Sequence, residues 1–341
     1  MAITVQKNNQ LKAIAILMML CLHLFNRDYK GLFQPLVFVG SQPLSYYISL
    51  FCDACVPMFA FVSGYGLYFK FVQKTQTYKK DNFVRVKKLY INYWIILFLF
   101  AVLLGSVLNK EGYPGSFTKL VLNISGLDPS YNGAWWFFTI YVLFVFTSSF
   151  WFQMLDKINP YGYFIVLLII YLAGFYFRIY KTYLFANNIL SWFHRESALY
   201  LCTLFQFMLG AFALKYDWNK KISILFQNLK LKNLVVVILM GVLVVFHALV
   251  PNFIVAPFTA LAFIFLFVQL DLPNFIETTI DFVSKHSTNM WLIHMFFYLI
   301  FFQEFVYGFR YAPVIFFVLV TMCIASSYIV SFINDKIQKR I

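Results

Sequence analysis

Apolar stretches long enough to cross a bilayer recur from near the start of this 341-residue chain to its last residues. A spanning helix needs about 20 predominantly apolar residues, because each residue advances the helix by only about 1.5 Å. Hydrophobic residues make up 62% of the sequence and charged residues only 12%, values that exclude an ordinary soluble protein. The short polar segments between the stretches leave no room for a soluble domain. The sequence therefore predicts one all-α domain, residues 1–341, folded as a polytopic membrane bundle.

We expect about ten transmembrane helices in this bundle. Their predicted ranges are 10–26, 45–71, 89–109, 133–153, 161–180, 198–216, 234–250, 253–270, 288–304 and 312–333. The first stretch lacks a small-residue cleavage site after its apolar core, so we expect it to be a retained helix and not a signal peptide. Of the 27 Lys and Arg residues, 19 lie near the termini and the even-numbered loops, which predicts cytoplasmic termini in a multi-pass protein of the cell membrane.

The composition also bears on partners and cofactors. A net charge of +14 fits this topology signal and contact with membrane lipids, and gives no reason to expect a nucleic-acid partner. Cys52 and Cys55 form a C-x-x-C pair inside an apolar run, with no second pair or histidine pair nearby. Such an isolated pair is weak evidence for metal or redox chemistry, so we predict no metal site.

Lys12 and His23 lie on the same face of the first predicted helix. Eleven residues at 100° each return to within about 20° of the starting direction and rise roughly 16 Å. The amine of Lys12 can reach headgroups or solvent along its own stem, whereas His23 lies in the hydrocarbon region. An ionisable group at that depth indicates a functional site, although a histidine bonded to a neighbouring helix explains the pattern equally well.

Arg85 and Lys88 open the third predicted helix three residues apart, within the densest basic cluster of the chain. Most of that cluster is explained by membrane topology and by attraction to anionic lipid. These two residues share one helix face and can turn toward the bundle to bind phosphate.

Asp53 and Ser63 are the polar residues of interest in the second predicted helix. A carboxylate at the depth of Asp53 is costly unless it is protonated or paired, and His23 on the adjacent helix is a plausible partner. Ser63 is a candidate nucleophile, but a hydroxyl bonded to its own helix is the commoner arrangement. Pro57 and the Ser63-Gly64 pair predict a kinked, closely packed helix.

Other candidates lie at the predicted helix ends. Trp135 and Trp136 suit the interfacial aromatic belt or stacking on a sugar ring. Arg195 and Glu196 lie at the predicted start of the sixth helix, where they cap it or bind an acceptor. His294, in the ninth helix, is expected in the cytoplasmic half and therefore out of reach of His23 unless the bundle is hollow.

Five segments in order resemble acyltransferase family 3. Lys12 and His23 match the R/K-x10-H signature of the family's first helix, and VPMFAFVSGYG is similar to its second helix ending in FxxSG. RVKKLYINYW, NGAWWFF and STNMWLIH resemble the family's basic third-helix entry, its fourth-helix tryptophan and its late IYLxH segment. Lys88 replaces the second arginine of Arg-x-x-Arg, and Gln10 and Leu11 replace the acidic residue common before the first-helix cation.

The resemblance implies an integral membrane O-acyltransferase of the stand-alone type, without an SGNH esterase domain. Members move an acyl group, usually acetyl, from cytoplasmic acyl-CoA to a carbohydrate hydroxyl on a polysaccharide or lipid-linked glycan. No tightly bound cofactor is implied, since acyl-CoA is the donor substrate.

Carried onto this chain, the family's chemistry assigns roles to the candidate residues. Lys12, Arg85 and Lys88 would bind the phosphates of coenzyme A, and the extended pantetheine arm would reach His23. His23 would act as the general base, with Asp53 orienting its ring. The donor to the oxyanion is open, and Trp135 and Ser63 are candidates.

Two other functions remain open from the residues alone. Buried His, Asp and Lys residues also suit a transporter, although no inverted repeat is visible. A polysaccharide-export subunit without acyl-transfer chemistry is the third possibility. The acyl group, the acceptor sugar and the oligomeric state are not encoded in any recognisable pattern.

Overall fold

The computed structural model describes residues 2–339 and is helical along most of that length. Within this part of the chain the only strands are Phe38–Val39 and Gln42–Pro43, a short antiparallel hairpin after the first helix. The all-α prediction is confirmed.

The helices are numbered α1 to α15 along the chain. They are α1 (Val5–Phe25), α2 (Leu44–Phe51), α3 (Cys55–Gln73), α4 (Tyr78–Ile96), α5 (Gly105–Val107), α6 (Phe117–Ser125), α7 (Trp136–Lys157), α8 (Pro160–Ile179), α9 (Asn188–Lys215), α10 (Trp218–Phe226), α11 (Lys232–Leu249), α12 (Ala256–Gln269), α13 (Asn274–Met295), α14 (Gln303–Tyr307) and α15 (Ala312–Gln338). Short 3₁₀ segments (Cys52–Ala54, Gly133–Trp135, Phe253–Val255) and π-helical segments (Leu97–Leu104, Phe296–Phe301) join some of these into longer rods.

Every one of the ten predicted helices coincides with a helix of the structure. Eight are long and apolar enough to cross a membrane, and they are Val5–Phe25, Leu44–Gln73, Tyr78–Val107, Gly133–Lys157, Pro160–Ile179, Asn188–Lys215, Lys232–Leu249 and Ala312–Gln338. The predicted helix 253–270 is the shorter apolar helix Phe253–Gln269. The predicted helix 288–304 is the second half of α13 and the π-helical segment that follows it.

Two helices begin earlier than their hydropathy indicates. α13 starts at Asn274 and not near 288, because its first half carries Glu277, Asp281 and Lys285 and so escapes a search for apolar windows. α9 starts at Asn188 and not at 198, because Asn187 caps it by accepting hydrogen bonds from two backbone amides. The polar triplet 194–196 therefore lies inside α9 and does not cap it.

The predicted kink in the second span is a break between α2 and α3 at the 3₁₀ turn Cys52–Ala54. Pro57 has no amide hydrogen to donate toward residue 53, so a continuous α-helical ladder is impossible there. The close packing expected around Gly64 is also present. A Cβ on Gly64 would lie 1.8 Å from the carbonyl oxygen of Phe207 in α9, and one on Gly210 would lie 2.1 Å from that of Phe61 in α3.

The N-terminal segment and the even-numbered loops lie at one end of the bundle, where polar contacts join them. Lys7 pairs with Glu277 at 3.9 Å, and similar ion pairs join 215 to 156 and 232 to 271. Nε2 of Gln10 donates to Asp281 Oδ1 (2.9 Å) and Glu277 Oε1 (3.2 Å). Gln10 thus links α1 to two carboxylates of α13, and we call this end of the bundle the terminal end.

Candidate functional site

His23 and His294 form a hydrogen-bonded pair between α1 and α13. Nδ1 of His23 lies 2.7 Å from Nε2 of His294, and the two rings are nearly parallel, 9° apart. Nδ1 of His294 lies 2.8 Å from the carbonyl oxygen of Trp291 and 3.1 Å from that of Met290. A carbonyl oxygen only accepts, so Nδ1 of His294 carries the hydrogen and its Nε2 accepts from His23. In the neutral pair, Nε2 of His23 is therefore left with a free lone pair.

The expectation that His294 lies out of reach of His23 is wrong. The two helices run in parallel, as the contacts of Gln10 with Asp281 and of His23 with His294 require. Because α13 begins at Asn274, His294 lies about as far along its helix as His23 lies along α1. The predicted start of this helix at residue 288 had placed His294 in the cytoplasmic half of the bundle.

A ring of polar and aromatic groups surrounds the far side of His23. Nη2 of Arg27 donates to the backbone oxygen of His23 (2.7 Å), and its guanidinium lies 5.1 Å from the ring centre of Tyr298. Tyr298 stacks on both imidazoles, and the hydroxyl of Tyr307 donates to the backbone oxygen of Leu24 (3.0 Å). No local sequence pattern predicts the contacts of Tyr298 and Tyr307, since they join α1 to residues near the end of the chain.

Asp53 does not provide the orienting carboxylate suggested for His23. Within residues 2–339 no hydrogen bond or ion pair joins the two side chains, and the imidazole is oriented by His294. Asp53 forms no ion pair among the described residues, and the cation whose charge acts on it is Arg178. The guanidinium of Arg178 lies between two rings, 5.3 Å from Trp136 and 4.6 Å from Phe253.

Lys12, Arg85 and Lys88 line one cavity of about 700 Å³ between α1, α3, α4, α13 and α15. Lys70 and Lys285, which the sequence did not single out, line the same cavity. Lys70, Lys88 and Lys285 are exposed, whereas Lys12 and Arg85 are half-buried. The cavity therefore has a basic mouth and two further cations deeper inside.

These five cations have no acidic partner in the part of the chain that the structure describes. No Asp or Glu lines the cavity, and each ion pair of residues 2–339 involves other cations. Lys12 donates to Asn9 (3.2 Å) and Arg85 donates to Asn82 (2.9 Å), both through neutral amide oxygens. Half-buried cations without a counter-charge are costly, so this cavity is suited to a polyanion.

The cavity ends at Phe137 and Trp291, close to the histidine pair. Trp291 precedes His294 by about one helical turn and accepts its Nδ1 hydrogen bond through the backbone. The indole of Trp291 donates to the backbone oxygen of Ala134 (3.0 Å), which holds the ring against the start of α7. His23 is not among the residues that line the cavity, so Trp291 and Phe137 close it toward the imidazoles.

Ser63 and Trp135, the two suggested oxyanion donors, lie in different surroundings. Ser63 lines the cavity. Trp135 is buried, packs against Tyr93 and donates its indole hydrogen to the backbone oxygen of Leu292 (2.9 Å). Its N–H is therefore already used in holding the turn before α7 against α13, and its ring is buried inside the bundle.

Trp136, Arg195 and Glu196 lie away from the terminal end. Trp136 packs against Arg178, as described above. Nε of exposed Arg195 donates to Oε1 of Glu196 (3.1 Å). Glu196 is 7% exposed, and its Oε2 has no hydrogen-bond partner among the described residues.

A family model described as an acyltransferase domain, acyltransferase family 3, matches residues 8–332. That range contains the histidine pair, the cavity and nearly the whole bundle. No curated protein and no solved structure gives a significant match. The chain belongs to acyltransferase family 3 and is a multi-pass membrane acyltransferase.

Proposed function

We propose that this protein moves an acyl group, most simply acetyl, from acyl-CoA in the basic cavity to a hydroxyl of a surface polysaccharide or lipid-linked glycan. His23 is the general base, and transfer is direct. The protein acts in the cytoplasmic membrane, with the terminal end facing the cytoplasm. The observation that carries the proposal is the pairing of His23 with His294 one helical turn beyond the closed end of a cavity rich in unpaired cations.

The basic cavity supports acyl-CoA as the donor. Coenzyme A carries several phosphate charges at one end, and cations without counter-charges bind such groups through charge-assisted hydrogen bonds. Arg85 and Lys12, being half-buried, are best placed to hold the phosphates that enter deepest. The terminal end carries most of the Lys and Arg residues, which supports donor entry from the cytoplasm.

The histidine pair supports base catalysis at Nε2 of His23. The acceptor hydroxyl gives its proton to this nitrogen as its oxygen bonds to the thioester carbonyl carbon. The carbon–sulfur bond then breaks, and the departing thiolate takes the proton back from His23. His294 accepts the Nδ1 hydrogen of His23 throughout and is itself held by the backbone of α13, so one tautomer is favoured. General base help of this kind typically contributes about 10² to 10⁴ in rate.

Acyl transfer requires the thioester to pass Trp291 and Phe137. In the proposal, the indole of Trp291 leaves Ala134 when the donor arm enters, and the acyl group then lies beside His23. Once Trp291 and Phe137 have moved, the remaining distance is short, because Trp291 and His294 are on adjacent turns of α13.

The acceptor enters from the opposite end of the bundle. Trp136 and Arg178 offer an aromatic face and hydrogen-bond donors, and Arg195 and Glu196 offer further polar atoms, which suits a carbohydrate. In this proposal Asp53, whose charge interacts with Arg178, serves the acceptor and not the base.

Loss of the gene tests the proposal directly. Surface glycans of the deletion strain, compared by mass with those of the parent, should lack one acyl group, and the intact gene should restore it. The His23→Ala variant should lower transfer by at least about a hundredfold while the protein still inserts. His247→Gln is the matched control, since His247 is a buried histidine that bonds to Thr259, outside the site. An unchanged glycan profile with altered ion or sugar uptake would contradict the proposal.

A further inference from the structure

A layer of side-chain amides follows the cations on two walls of the cavity. Along α4 the cavity is lined by Arg85, Lys88 and then Asn92, and along α13 by Lys285 and then Asn289. On each helix the amide follows the last cation by four residues, or roughly 6 Å. Asn92 bonds to Asn289, so the two amides lie at one depth, between the cations and the closed end of the cavity.

Hydrogen bonds hold both amides in fixed orientations. Nδ2 of Asn92 donates to Oδ1 of Asn289 (2.8 Å). Nδ2 of Asn289 donates in turn to the hydroxyls of Ser327 (2.8 Å) and Ser331 (3.2 Å) on α15, and Ser327 also bonds to His286 (2.9 Å). Both polar side-chain atoms of Asn289 therefore form hydrogen bonds, whereas in Asn92 only Nδ2 does.

The side-chain carbonyl oxygen of Asn92, Oδ1, has no hydrogen-bond partner among the described residues. Asn92 is 9% exposed and lines the cavity. Because Nδ2 is committed to Asn289, the group that Asn92 presents to the cavity is an acceptor. In a narrow, partly apolar passage such an acceptor favours a ligand that brings an N–H to the same depth.

We propose that Oδ1 of Asn92 accepts a hydrogen bond from an amide N–H of the donor's pantetheine arm, and that this contact selects pantetheine thioesters. This rests on the proposed function, since it assumes that the donor's phosphates lie on the cations and its thioester points to His23. The order of groups along the cavity matches that of the ligand: phosphates at Arg85 and Lys88, amide at Asn92, thioester beyond Trp291. An acyl phosphate or an amide-free thioester would leave Asn92 unpaired and bind less well.

The test measures binding, so the acceptor need not be known. The probes are coenzyme A, two analogues in which one or the other pantetheine amide N–H is replaced by an ester oxygen, and adenosine 3′,5′-bisphosphate, which lacks the arm. Full-length protein in lipid nanodiscs should bind one ester analogue roughly fivefold more weakly than coenzyme A, as expected for one neutral hydrogen bond. The Asn92→Leu variant should lose the same factor for coenzyme A and should no longer distinguish that analogue.

Adenosine 3′,5′-bisphosphate checks that each variant is folded, because its affinity should not change in Asn92→Leu. The Asn92→Asp variant keeps an acceptor oxygen, so it should retain the ratio between coenzyme A and the analogue even if added negative charge weakens both. Equal binding of coenzyme A and both analogues to the native protein would overturn the inference. Failure to bind even the bisphosphate would instead contradict the proposed donor site.

Discussion

His23 and His294 are 271 positions apart in the sequence, yet a 2.7 Å hydrogen bond joins Nδ1 of one to Nε2 of the other. The backbone oxygens of Met290 and Trp291 determine the tautomer of His294, and His294 determines that of His23. A backbone feature of α13 thereby decides which nitrogen of α1 is free to accept a proton.

Removal of His294 tests whether it determines the tautomer of His23, an arrangement that we call the relay. The His294→Ala variant should lower transfer by about ten- to a hundredfold, since His23 keeps its place but loses its preferred tautomer. The His294→Gln variant, which retains an acceptor oxygen for Nδ1 of His23, should be less impaired. The double variant with His23→Ala should be no worse than His23→Ala alone, because the two residues act as a unit. Multiplying defects in the double variant would contradict the relay.

Asp53 offers a contrast with His294. Because Asp53 makes no bond to His23 and interacts with Arg178, we expect Asp53→Asn to reduce transfer much less than His294→Ala. Its effect should fall on the acceptor KM, since the proposal places it at the acceptor end. Steady-state kinetics at varied donor and acceptor concentrations separate the two effects. A fall in kcat as large as that of His294→Ala would restore Asp53 as the orienting group.

The cavity cations should control donor affinity. Arg85→Met and Lys12→Met should each raise the KM for acetyl-CoA on the order of tenfold with a smaller effect on kcat, because each removes a charge-assisted contact to phosphate. Lys87→Met is the matched control, since Lys87 neighbours Lys88 but does not line the cavity. Titrations with acetyl-CoA at two salt concentrations should show weaker salt dependence in the Arg85 and Lys12 variants only.

Trp291 should separate the donor from water and from the histidines. The Trp291→Ala variant removes the ring at the closed end of the cavity, so hydrolysis of acetyl-CoA without acceptor should rise severalfold. Release of free coenzyme A, followed with a thiol reagent, measures this directly. The same measurement on Trp291→Ala combined with His23→Ala should return to the background rate if the hydrolysis uses the proposed base.

The contact between α3 and α9 should depend on its glycines. Gly210→Ala places a methyl group where the backbone of Phe61 already lies, and it should lower stability by about 1–3 kcal/mol. Gly241→Ala in α11 is the control, since a Cβ there meets nothing within 4 Å. Thermal unfolding of the purified proteins in one detergent should show a lower midpoint for the first variant and little change for the second.

Helical periodicity and hydropathy predicted the places of ten helices, and each of these coincides with a helix among the described residues. They also place Lys12 and His23 on one face of α1. Lys12 lines the basic cavity and His23 bonds to His294 of α13, so both side chains face the interior of the bundle. Lys12, Arg85 and Lys88 line one cavity, because the start of α4 returns to the same end of the bundle as the start of α1 after the span α2–α3. The identity of the ligand stays a prediction.

Contacts between helices that are distant in the chain could not be predicted from the sequence. The partner of His23 depended on where α13 begins, and the acidic residues in its first half concealed that start. The interaction of the charge of Asp53 with that of Arg178, at the end of α8, is not encoded in any local pattern. Trp135 was judged by its position at a helix start, whereas its indole is fixed by a carbonyl of another helix.

α1 and α13 are fastened to each other at two heights, by Gln10 with Glu277 and Asp281 below and by the imidazoles above. Sliding of one helix along the other would break both sets of bonds together. In the proposed cycle, loading and release of the large, charged donor would therefore be accommodated by movement of the other helices that line the cavity, α3, α4, α7 and α15. In that cycle Nε2 of His23 would keep its position and orientation, so the proposed base would not have to be reassembled at each turnover.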